Sequence, residues 1–335
     1  MKMKNDPIEL ISEKIHQSQS IVITSHLRPD GDSLCTSLAL YFIGKLLGKD
    51  MAIFNKDNTP FPFNHYPDIE NIQIGQIAPQ KFDIIILLEC ANVGRSGQLN
   101  IDNYFKINID HHFSNDYYAD INWVDPKASA VAEMAVKLGK KLEVKITPAI
   151  ASHLYCGIVS DTGSFQFSNT NAEAFKSCYE LVTFGASPIK VSELLFNNNP
   201  PEKIKLLGYV LSTLQMNETG DIAVITMFRE FRENLNLKEI DTEDITTLTR
   251  SIKGVKMVLF FKEMAKDTFR VSLRSKGPAN AAMIAEYFGG GGHRHAAGFT
   301  VRGKHKKLIQ DIPEKVRELL TTDAKKANNT TPEIS

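Results

Sequence analysis

The sequence predicts an α/β protein in which an N-terminal parallel-sheet domain, with helices on both faces, precedes a smaller mixed α+β C-terminal domain. Three observations favour this fold class. A chain of 335 residues is long for a single hydrophobic core and indicates two domains. The first half alternates short apolar runs with helix-length amphipathic stretches, which is typical of a parallel sheet. Beyond an interruption rich in asparagine and proline, the second half has paired strand-like runs instead.

Four apolar, β-rich runs are predicted as the strands of the first domain: residues 20–24, 51–55, 82–88 and 106–109. The third run is continuously apolar after Asp83, which indicates a central strand buried on both faces. Helices are predicted over residues 7–17, 34–47, 128–140, 148–159 and 172–184. Pro148 suits the first turn of its helix, with Thr147 as the N-cap.

The pattern breaks over residues 188–201, which contain the run Asn197-Asn198-Asn199-Pro200-Pro201. We therefore expect a first domain over 1–190, a linker helix within 191–215, a second domain over 216–322 and a disordered polar tail over 323–335. The linker helix is predicted at about 202–215. In the second domain, strands are predicted at 221–227, 255–263 and 268–274, and helices at 241–251, 279–288 and 304–320.

Composition excludes several classes of protein. The 39 basic and 39 acidic side chains give a formal net charge of zero, so no overall field attracts long nucleic acid. Four cysteines lie far apart without a CxxC pair, which argues against a zinc ribbon or a disulfide framework and fits a reducing compartment. No segment approaches 18 uninterrupted apolar residues, and no signal-peptide core is present at the N-terminus. We expect a cytoplasmic protein that does not contact membranes.

The turn between the first predicted strand and the helix that follows it contains His26, Asp30 and Asp32. Two carboxylates held this close repel each other, and a divalent cation is the simplest remedy, because imidazole nitrogen and carboxylate oxygen are suitable ligands. The alternative is a polar surface turn in which aspartate caps a helix.

Three further polar clusters occur at comparable places. Glu89 directly follows the third predicted strand, and Asp110-His111-His112 directly follow the fourth, whereas Asp161 lies in a glycine-containing stretch after a helix. Open α/β sheets bind ligands at the carboxyl ends of their strands, so we expect these residues to converge on a metal site. Each cluster alone also has a structural explanation: turn chemistry for Asp161, helix capping for Glu89, and packing for the histidine pair.

The charge of the expected site indicates two cations. Asp30, Asp32, Glu89 and Asp161 supply four negative charges, which two divalent ions would balance. Two such ions about 3.5–4 Å apart suit phosphoryl displacement, with a hydroxide held between them as the nucleophile. The mixed histidine and carboxylate ligands suit Mn²⁺ at least as well as Mg²⁺, with Co²⁺ as a further alternative.

A second candidate site lies in the C-terminal half. The glycines at 289–292, of which Gly290, Gly291 and Gly292 are expected to contact substrate, are followed at once by His293 and Arg294. Consecutive glycine N–H groups can converge on an anion, and arginine adds bidentate recognition of phosphate. The alternative is a flexible linker. Further candidates for phosphate binding are Arg274 and Ser275, at the end of a predicted strand. The alternative for Arg274 is a solvated cation at the end of a strand.

Taken together, these motifs resemble those of the DHH phosphoesterase superfamily. The resemblance rests on the spacing of His26, Asp30 and Asp32, on a carboxylate at position 89, on Asp110-His111-His112 and on Asp161, in that order. The glycine run with His293 is similar to the GGGH signature of the DHH-associated domain. The resemblance covers about residues 8–320, and the size of the chain suits the stand-alone nanoRNase/pAp phosphatase branch. Position 89 departs from the pattern, because the family usually has aspartate there.

The resemblance implies roles for these residues. One cation would be held by His26, Asp30 and a bridging Glu89. The other would share Glu89 and be held also by Asp32, His111 and Asp161. Asp110 would orient a histidine ring, and His112 would face the substrate phosphate.

The function implied is a metal-dependent phosphohydrolase that degrades RNA of two to five nucleotides, including pApA, to mononucleotides and converts 3′-phosphoadenosine 5′-phosphate (pAp) to AMP. A homodimer is also implied. A cyclic di-AMP phosphodiesterase remains an alternative, and a manganese pyrophosphatase is disfavoured by the glycine signature. A non-catalytic nucleotide-binding module is a further alternative, because Glu89 replaces the usual aspartate. Zero net charge and the absence of an additional nucleic-acid-binding domain argue against an exonuclease of long strands.

Overall fold

The computed structural model describes residues 6–79, 81–235 and 242–329. The chain divides into two compact units, an N-terminal unit that ends at Asn198 and a C-terminal unit that begins at Asn199. Among the described residues, no helix is both long enough and apolar enough to cross a membrane.

A six-stranded sheet, parallel throughout, forms the centre of the N-terminal unit. Its strands are β1 (Ser20–Ser25), β2 (Asp50–Asn55), β3 (Ile72–Ile74), β4 (Ile84–Leu88), β5 (Phe105–Asp110) and β6 (Ile121–Val124). Their order in the sheet is β3-β2-β1-β4-β5-β6. The order reverses between β1 and β4, and the carboxyl ends of strands at such a switch point form the usual ligand site of open α/β sheets. The predicted parallel sheet is confirmed, and the short edge strands β3 and β6 were not predicted.

The described part of this unit has six α-helices: α1 (Pro7–Gln17), α2 (Gly31–Leu46), α3 (Val131–Lys141), α4 (Pro148–Asp161), α5 (Ala172–Thr183) and α6 (Pro188–Phe196). The first five lie where the sequence predicts helices. Helix α6 occupies the segment where we expected the pattern to break. Its proline stands in the first turn, where no N–H is needed, and the helix ends just before the asparagine run.

The two faces of the sheet are covered differently. Ile21 and Ile23 pack in one cluster with buried residues of all six helices, whereas Val22 points to the other face. There the contacts come from the segments that connect the strands, including Ile77 and Tyr104. Among the described residues the α-helices therefore pack on one face of the sheet and the connecting segments on the other, where we expected helices on both. The connection from β3 to β4 has nine residues, 75–83, which leaves no room for a helix of ordinary length.

Helix α2 begins three residues earlier than predicted, because Asp30 caps it. The Asp30 carboxylate accepts a hydrogen bond from the Ser33 amide at 3.1 Å, and the Ser33 hydroxyl accepts one from the Asp30 amide at 3.2 Å. Gly31, the first helical residue, lets α2 approach α4 closely. A Cβ atom at Gly31 would lie 2.2 Å from the Ser160 Oγ. The start of α2 and the end of α4 are thus brought together beside the sheet edge.

A six-stranded mixed sheet forms the C-terminal unit, which confirms the predicted α+β class, although only three of its strands were predicted. Its strands are β7 (Gln215–Met216), β8 (Ile222–Met227), β9 (Met257–Ala265), β10 (Thr268–Ser275), β11 (Gly291–His293) and β12 (Ala296–Arg302), in the order β11-β12-β10-β9-β8-β7. Only the pair β8 and β9 is parallel. The helices are α7 (Pro201–Leu211), α8 (Arg229–Asn234), α9 (Glu243–Arg250), α10 (Ala281–Tyr287) and α11 (His305–Asn329).

Several segments of this unit differ from prediction, and strands β7 and β12 and helix α8 were not predicted. The linker helix is the shorter α7. The glycine run forms strand β11 of a tight hairpin instead of a loop. Helix α11 continues to Asn329, into the segment expected to be disordered, because alanine and lysine there are strong helix formers. Residues 330–335 of that predicted tail, and residue 241 of a predicted helix, lie outside the described residues.

Candidate metal centre

The candidate ligands of the N-terminal unit meet at the carboxyl edge of its sheet. His26 follows β1, Glu89 follows β4, and His111 follows β5, which are three adjacent strands. Asp30 caps α2, and Asp161 is the last residue of α4. The sheet order therefore brings together side chains that are up to 135 residues apart in the chain.

These side chains form two groups that could each hold one cation. In each group, one ligand atom from every member lies within 4.8 Å of the others. The first group is His26, Asp30 and Glu89, and the second is Asp32, His111 and Asp161. The first three of these residues are those assigned to one cation in the sequence analysis. Glu89 also interacts electrostatically with Asp32 and Asp161, which places it between the two groups.

Both histidines present the same nitrogen to their carboxylates. The Nδ1 of His26 lies 2.9 Å from the Leu27 carbonyl oxygen, and the Nδ1 of His111 lies 3.2 Å from the Ala128 carbonyl oxygen. A carbonyl only accepts, so each Nδ1 carries a proton, and each Nε2 is the nitrogen that faces the carboxylates. The Nε2 of His26 is 3.5 Å from the Asp30 carboxylate, and that of His111 is 3.7 Å from Asp161. These separations suit ligand atoms that share a cation at about 2.1 Å from each.

Asp32 has a structural role besides its place in the second group. Its carboxylate accepts hydrogen bonds from the Val131 amide at 2.5 Å and from the Ala132 amide at 2.9 Å. These are the first amides of α3, whose own N-cap residue, Ala130, has no side chain to accept them. Asp32 therefore caps α3 from another helix, and it is buried with 1% of its surface exposed.

Burial makes the charges of this site costly when no cation is present. Burial raises the pKa of Glu89 well above its usual range, and the neighbouring Asp30, Asp32 and Asp161 add to the rise. Burial, followed by repulsion from Asp32, raises the pKa of Asp161 to about 7. The Oε1 atom of Glu89 is buried without a hydrogen-bond partner among the described residues. Orphaned carboxylate oxygen, converging negative charge and imidazole nitrogens that face the carboxylates together fit a pair of divalent cations.

Asp110 is buried and holds the ring of His112 by a hydrogen bond. Its carboxylate lies 2.7 Å from the His112 Nδ1 and accepts a hydrogen bond from the Asn115 side-chain amide at 2.6 Å. Burial works to raise the pKa of Asp110, but these hydrogen bonds outweigh it and lower the pKa overall. The hydrogen bond to Asp110 raises the pKa of His112. The His112 side chain is 46% exposed, so its Nε2 remains available to a ligand.

Two asparagines of the site were missed by the sequence analysis. Asn115 is buried and donates hydrogen bonds to Asp110 and to Asn108. Asn169 donates to the Asp161 carboxylate at 3.0 Å and to the Ser129 carbonyl oxygen at 2.8 Å. Asparagine is common in turns, so neither residue carries a signal by type. The place of Asn115 four residues after His111 was the available indication.

The candidate substrate residues of the C-terminal unit have two kinds of environment. Ser275 is buried, and its hydroxyl contacts the Ala279 carbonyl oxygen at 2.8 Å and the Arg294 carbonyl oxygen at 3.1 Å, so it holds the hairpin in place. His293 is exposed on β11, and the adjacent Arg294 is exposed in the turn. Arg274 is half-buried near the end of β10, with one guanidinium nitrogen 3.1 Å from the Leu273 carbonyl oxygen.

Two glycines of the run at 289–292 are required by the hairpin itself. Gly292 has φ +147°, and a Cβ atom there would lie 2.5 Å from the Ala297 Cα. A Cβ atom at Gly290 would lie 2.1 Å from the Gly298 carbonyl oxygen. Gly291 has neither constraint, since nothing lies within 4 Å of its Cβ position. Close backbone approach therefore explains Gly290 and Gly292 without a ligand.

Comparison with known proteins supports this description of both units. Residues 20–158 match the DHH family, N-terminal domain, and residues 222–322 match the DHHA1 domain. The chain is 32% identical over 320 residues to the bifunctional oligoribonuclease and PAP phosphatase NrnA of Thermus thermophilus, covering 94% of this chain and 95% of that protein. It is 30% identical over 308 residues to the Bacillus subtilis protein of the same name, covering 89% and 93%.

A solved structure shows the same fold. An exopolyphosphatase-related protein from Bacteroides fragilis superposes with a TM-score of 0.85 at 23% sequence identity, covering 95% of this chain and 97% of that one.

Proposed function

This chain belongs to the DHH family, and on that premise we propose that it is a phosphohydrolase that degrades short oligoribonucleotides and converts pAp to AMP. The observation that carries the proposal is the pair of ligand groups at the switch point of the sheet. Its support is the similarity, over nearly the full length, to two proteins named as oligoribonucleases and pAp phosphatases. The substrates are therefore RNA of two to five nucleotides, including pApA, together with pAp.

We propose that the two groups hold two divalent cations, with Mn²⁺ as the first choice. His26 and Asp30 bind one, Asp32, His111 and Asp161 bind the other, and Glu89 bridges them. Bound there, the cations would supply a water of lowered pKa and neutralise charge on the phosphate. Glu89 suits the bridging role because one carboxylate oxygen faces His26 at 3.9 Å while the other has no partner among the described residues.

His112 acts directly on the substrate, and Asp110 positions it. Asp110 holds His112 through its Nδ1, which directs the Nε2 outward. Since the pKa of His112 is raised, its ring carries a proton near neutral pH more often than free histidine does. We expect it to neutralise charge on the substrate phosphate and to protonate the leaving oxygen.

The C-terminal unit is proposed to bind the part of the substrate that is not cleaved. His293, Arg294 and Arg274 supply polar and cationic groups for a phosphate or a base. Substituting Arg274 or His293 by alanine is expected to raise KM with little change in kcat, because such contacts bind substrate and transition state alike.

A homodimer and a cytoplasmic location complete the proposal. Helix α5 exposes Phe175, Tyr179 and Val182 at helical spacing, an apolar face that a second copy of the chain would cover. Light scattering of the wild type and of Tyr179→Arg tests this. All four cysteines are free and buried, which is in keeping with a reducing compartment.

The experiment is one hydrolysis panel with added Mn²⁺ that compares pApA, a five-nucleotide RNA, pAp, cyclic di-AMP and a 24-nucleotide RNA. Rapid turnover of the short linear substrates and of pAp is expected. Preferential cleavage of cyclic di-AMP would indicate instead that the protein is a cyclic dinucleotide phosphodiesterase. His111→Ala is the control, since it should abolish hydrolysis without unfolding the protein. No turnover of any substrate, with cations bound, would favour a non-catalytic nucleotide-binding module.

A further inference from the structure

Phe113 is the most exposed large apolar side chain among the described residues, with 94% of its surface accessible. It follows His112 directly, in the loop that connects β5 to β6. Its ring has no aromatic neighbour within the part of the chain that the structure describes. A side chain this exposed contributes almost nothing to the core, so folding does not explain a phenylalanine at this position.

The loop that carries Phe113 is fixed by polar contacts. Asn115, two residues later, is tied to Asp110 at 2.6 Å and to Asn108 at 2.8 Å, and its amide donates to the His112 carbonyl oxygen at 3.3 Å. The Asp116 amide donates to the Ala91 carbonyl oxygen at 2.8 Å. The backbone on both sides of Phe113 is therefore anchored to the site. A ring presented from a fixed loop loses little freedom when it binds a ligand.

The position of Phe113 next to the metal centre indicates which part of a bound substrate its ring would contact. His111, two residues earlier, belongs to the second ligand group. Two trans peptide units limit the separation of the Cα atoms of His111 and Phe113 to about 7.6 Å. A nucleotide whose phosphate lies at His111 has its ribose and base within a comparable distance. The base offers a flat π-face, for which an exposed aromatic ring is the usual protein partner.

We propose that Phe113 is a stacking platform for the nucleobase of the nucleotide held at the metal centre. The inference rests on the proposed function and adds a specificity to it. Every base has a π-face, so the ring recognises that a base is present and not which base it is. The enzyme would then accept short RNA of any sequence and discriminate against a ribose phosphate that lacks its base.

Kinetics with base-deleted substrates test the proposal. The substrates are pApA and two analogues in which the 5′ or the 3′ adenine is replaced by hydrogen. The proteins are the wild type, Phe113→Ala, Phe113→Leu and Phe113→Trp. We expect the KM for pApA to rise roughly tenfold in the alanine and leucine variants and to be kept in the tryptophan variant. For one of the two analogues, wild type and Phe113→Ala should have the same KM, because the base that stacks is already gone.

Leucine separates stacking from general apolar contact, and Leu99→Ala serves as a matched control, since Leu99 is 64% exposed in the same unit outside the ligand groups. An unchanged KM for pApA in Phe113→Ala would overturn the proposal. An equal rise for pApA and for both analogues would also overturn it, because the ring would then act on something other than a base. Leucine matching phenylalanine would show apolar contact without stacking.

A binding measurement separates this inference from the proposed function. A dinucleotide that contains 2-aminopurine and a non-hydrolysable linkage is titrated with the wild-type protein, and quenching of its fluorescence reports stacking. The quenching should disappear in Phe113→Ala. If the wild type fails to hydrolyse pApA, the proposed function fails, and the titration still decides the stacking. Hydrolysis of pApA together with quenching that does not depend on Phe113 overturns the stacking alone.

Discussion

Asn115→Leu is expected to destabilise the N-terminal unit. Asn115 is buried, and its side-chain amide donates to the Asp110 carboxylate at 2.6 Å and to the Asn108 side-chain oxygen at 2.8 Å. Leucine has a similar volume and cannot donate. The substitution therefore leaves the buried Asp110 carboxylate with one donor fewer and leaves the Asn108 oxygen without this partner.

The magnitude follows mainly from these two bonds, because the third bond lost, from the Tyr117 amide to the Asn115 side-chain oxygen at 2.8 Å, belongs to an exposed residue. A hydrogen bond to a charged group contributes about 1.5–3 kcal/mol, and a neutral one about 0.5–1.5 kcal/mol. Burying the additional apolar surface of leucine offsets about 1 kcal/mol of this loss in the free energy of unfolding. The net loss is about 2 kcal/mol, which lowers the Tm of a unit of this size by roughly 4–8 °C.

Fluorescence of Trp123 provides the assay. It is the single tryptophan of the chain and lies on β6, so it reports on the N-terminal unit. Urea unfolding of the wild type and the variant is compared in the presence of EDTA. Asn103→Leu is the control, because Asn103 is exposed and its substitution should change stability by less than about 0.5 kcal/mol. If Asn115→Leu behaves like that control, Asn115 does not satisfy Asp110 in solution.

Three further predictions concern the cap, the charges and the hairpin. In EDTA, Asp32→Ala should be about 1–3 kcal/mol less stable than Asp32→Asn, since alanine leaves two amides of α3 without an acceptor, whereas the asparagine oxygen can still accept from one of them; urea unfolding measures this. The folded pKa of Asp161, about 7, lies above its unfolded value of 3.8, so the stability from its proton is present below pH 3.8 and lost as the pH rises through 7. Mn²⁺ should therefore raise the Tm more at pH 8 than at pH 5, as measured by a thermal scan with and without EDTA. Gly292→Ala should cost the C-terminal unit about 2–4 kcal/mol, because φ is +147° and Cβ would meet Ala297, whereas Gly291→Ala should be near neutral by far-UV circular dichroism.

Each of these has a contradicting result. Equal stability of the two Asp32 variants would mean that the cap of α3 is replaced when the carboxylate is removed. A larger Tm shift at pH 5 than at pH 8 would mean that protons and cations do not compete at the site. Equal melting of the Gly291 and Gly292 variants would contradict the hairpin geometry.

The parallel sheet was predictable because its central strands are recognisable from their own residues, as continuous apolar runs. The run at 84–88 is entirely apolar and is buried on both faces, so its periodicity and its burial agree. The candidate ligands were predictable because their chemistry stands directly after such strands. The edge strands carry little signal, since β3 has three residues, two of them exposed, and pairs along one side only.

Other features depend on pairings that residue type and local periodicity do not reveal. Asp32 acts as a cap only because α3, which starts about 100 residues later, packs beside it. The glycine run forms a strand because β12 pairs with it, and glycine alone has a low strand propensity. Asn115 belongs to the site because its side chain donates hydrogen bonds to Asn108 and Asp110, at the end of β5. The first contact spans about 100 residues, and the other two join residues whose types do not mark them as partners, so local patterns did not identify them.

The order of the sheet has a consequence for synthesis on the ribosome. Strand β1 is central, with β2 on one side and β4 on the other, and Ile21 pairs with Ile84, 63 residues later. At a synthesis rate of about 5–20 residues per second, one edge of β1 waits roughly 3–12 s for its partner. An apolar strand edge that stays open for seconds can pair with other chains. The N-terminal quarter of this protein is therefore the segment that we expect nascent-chain chaperones to protect.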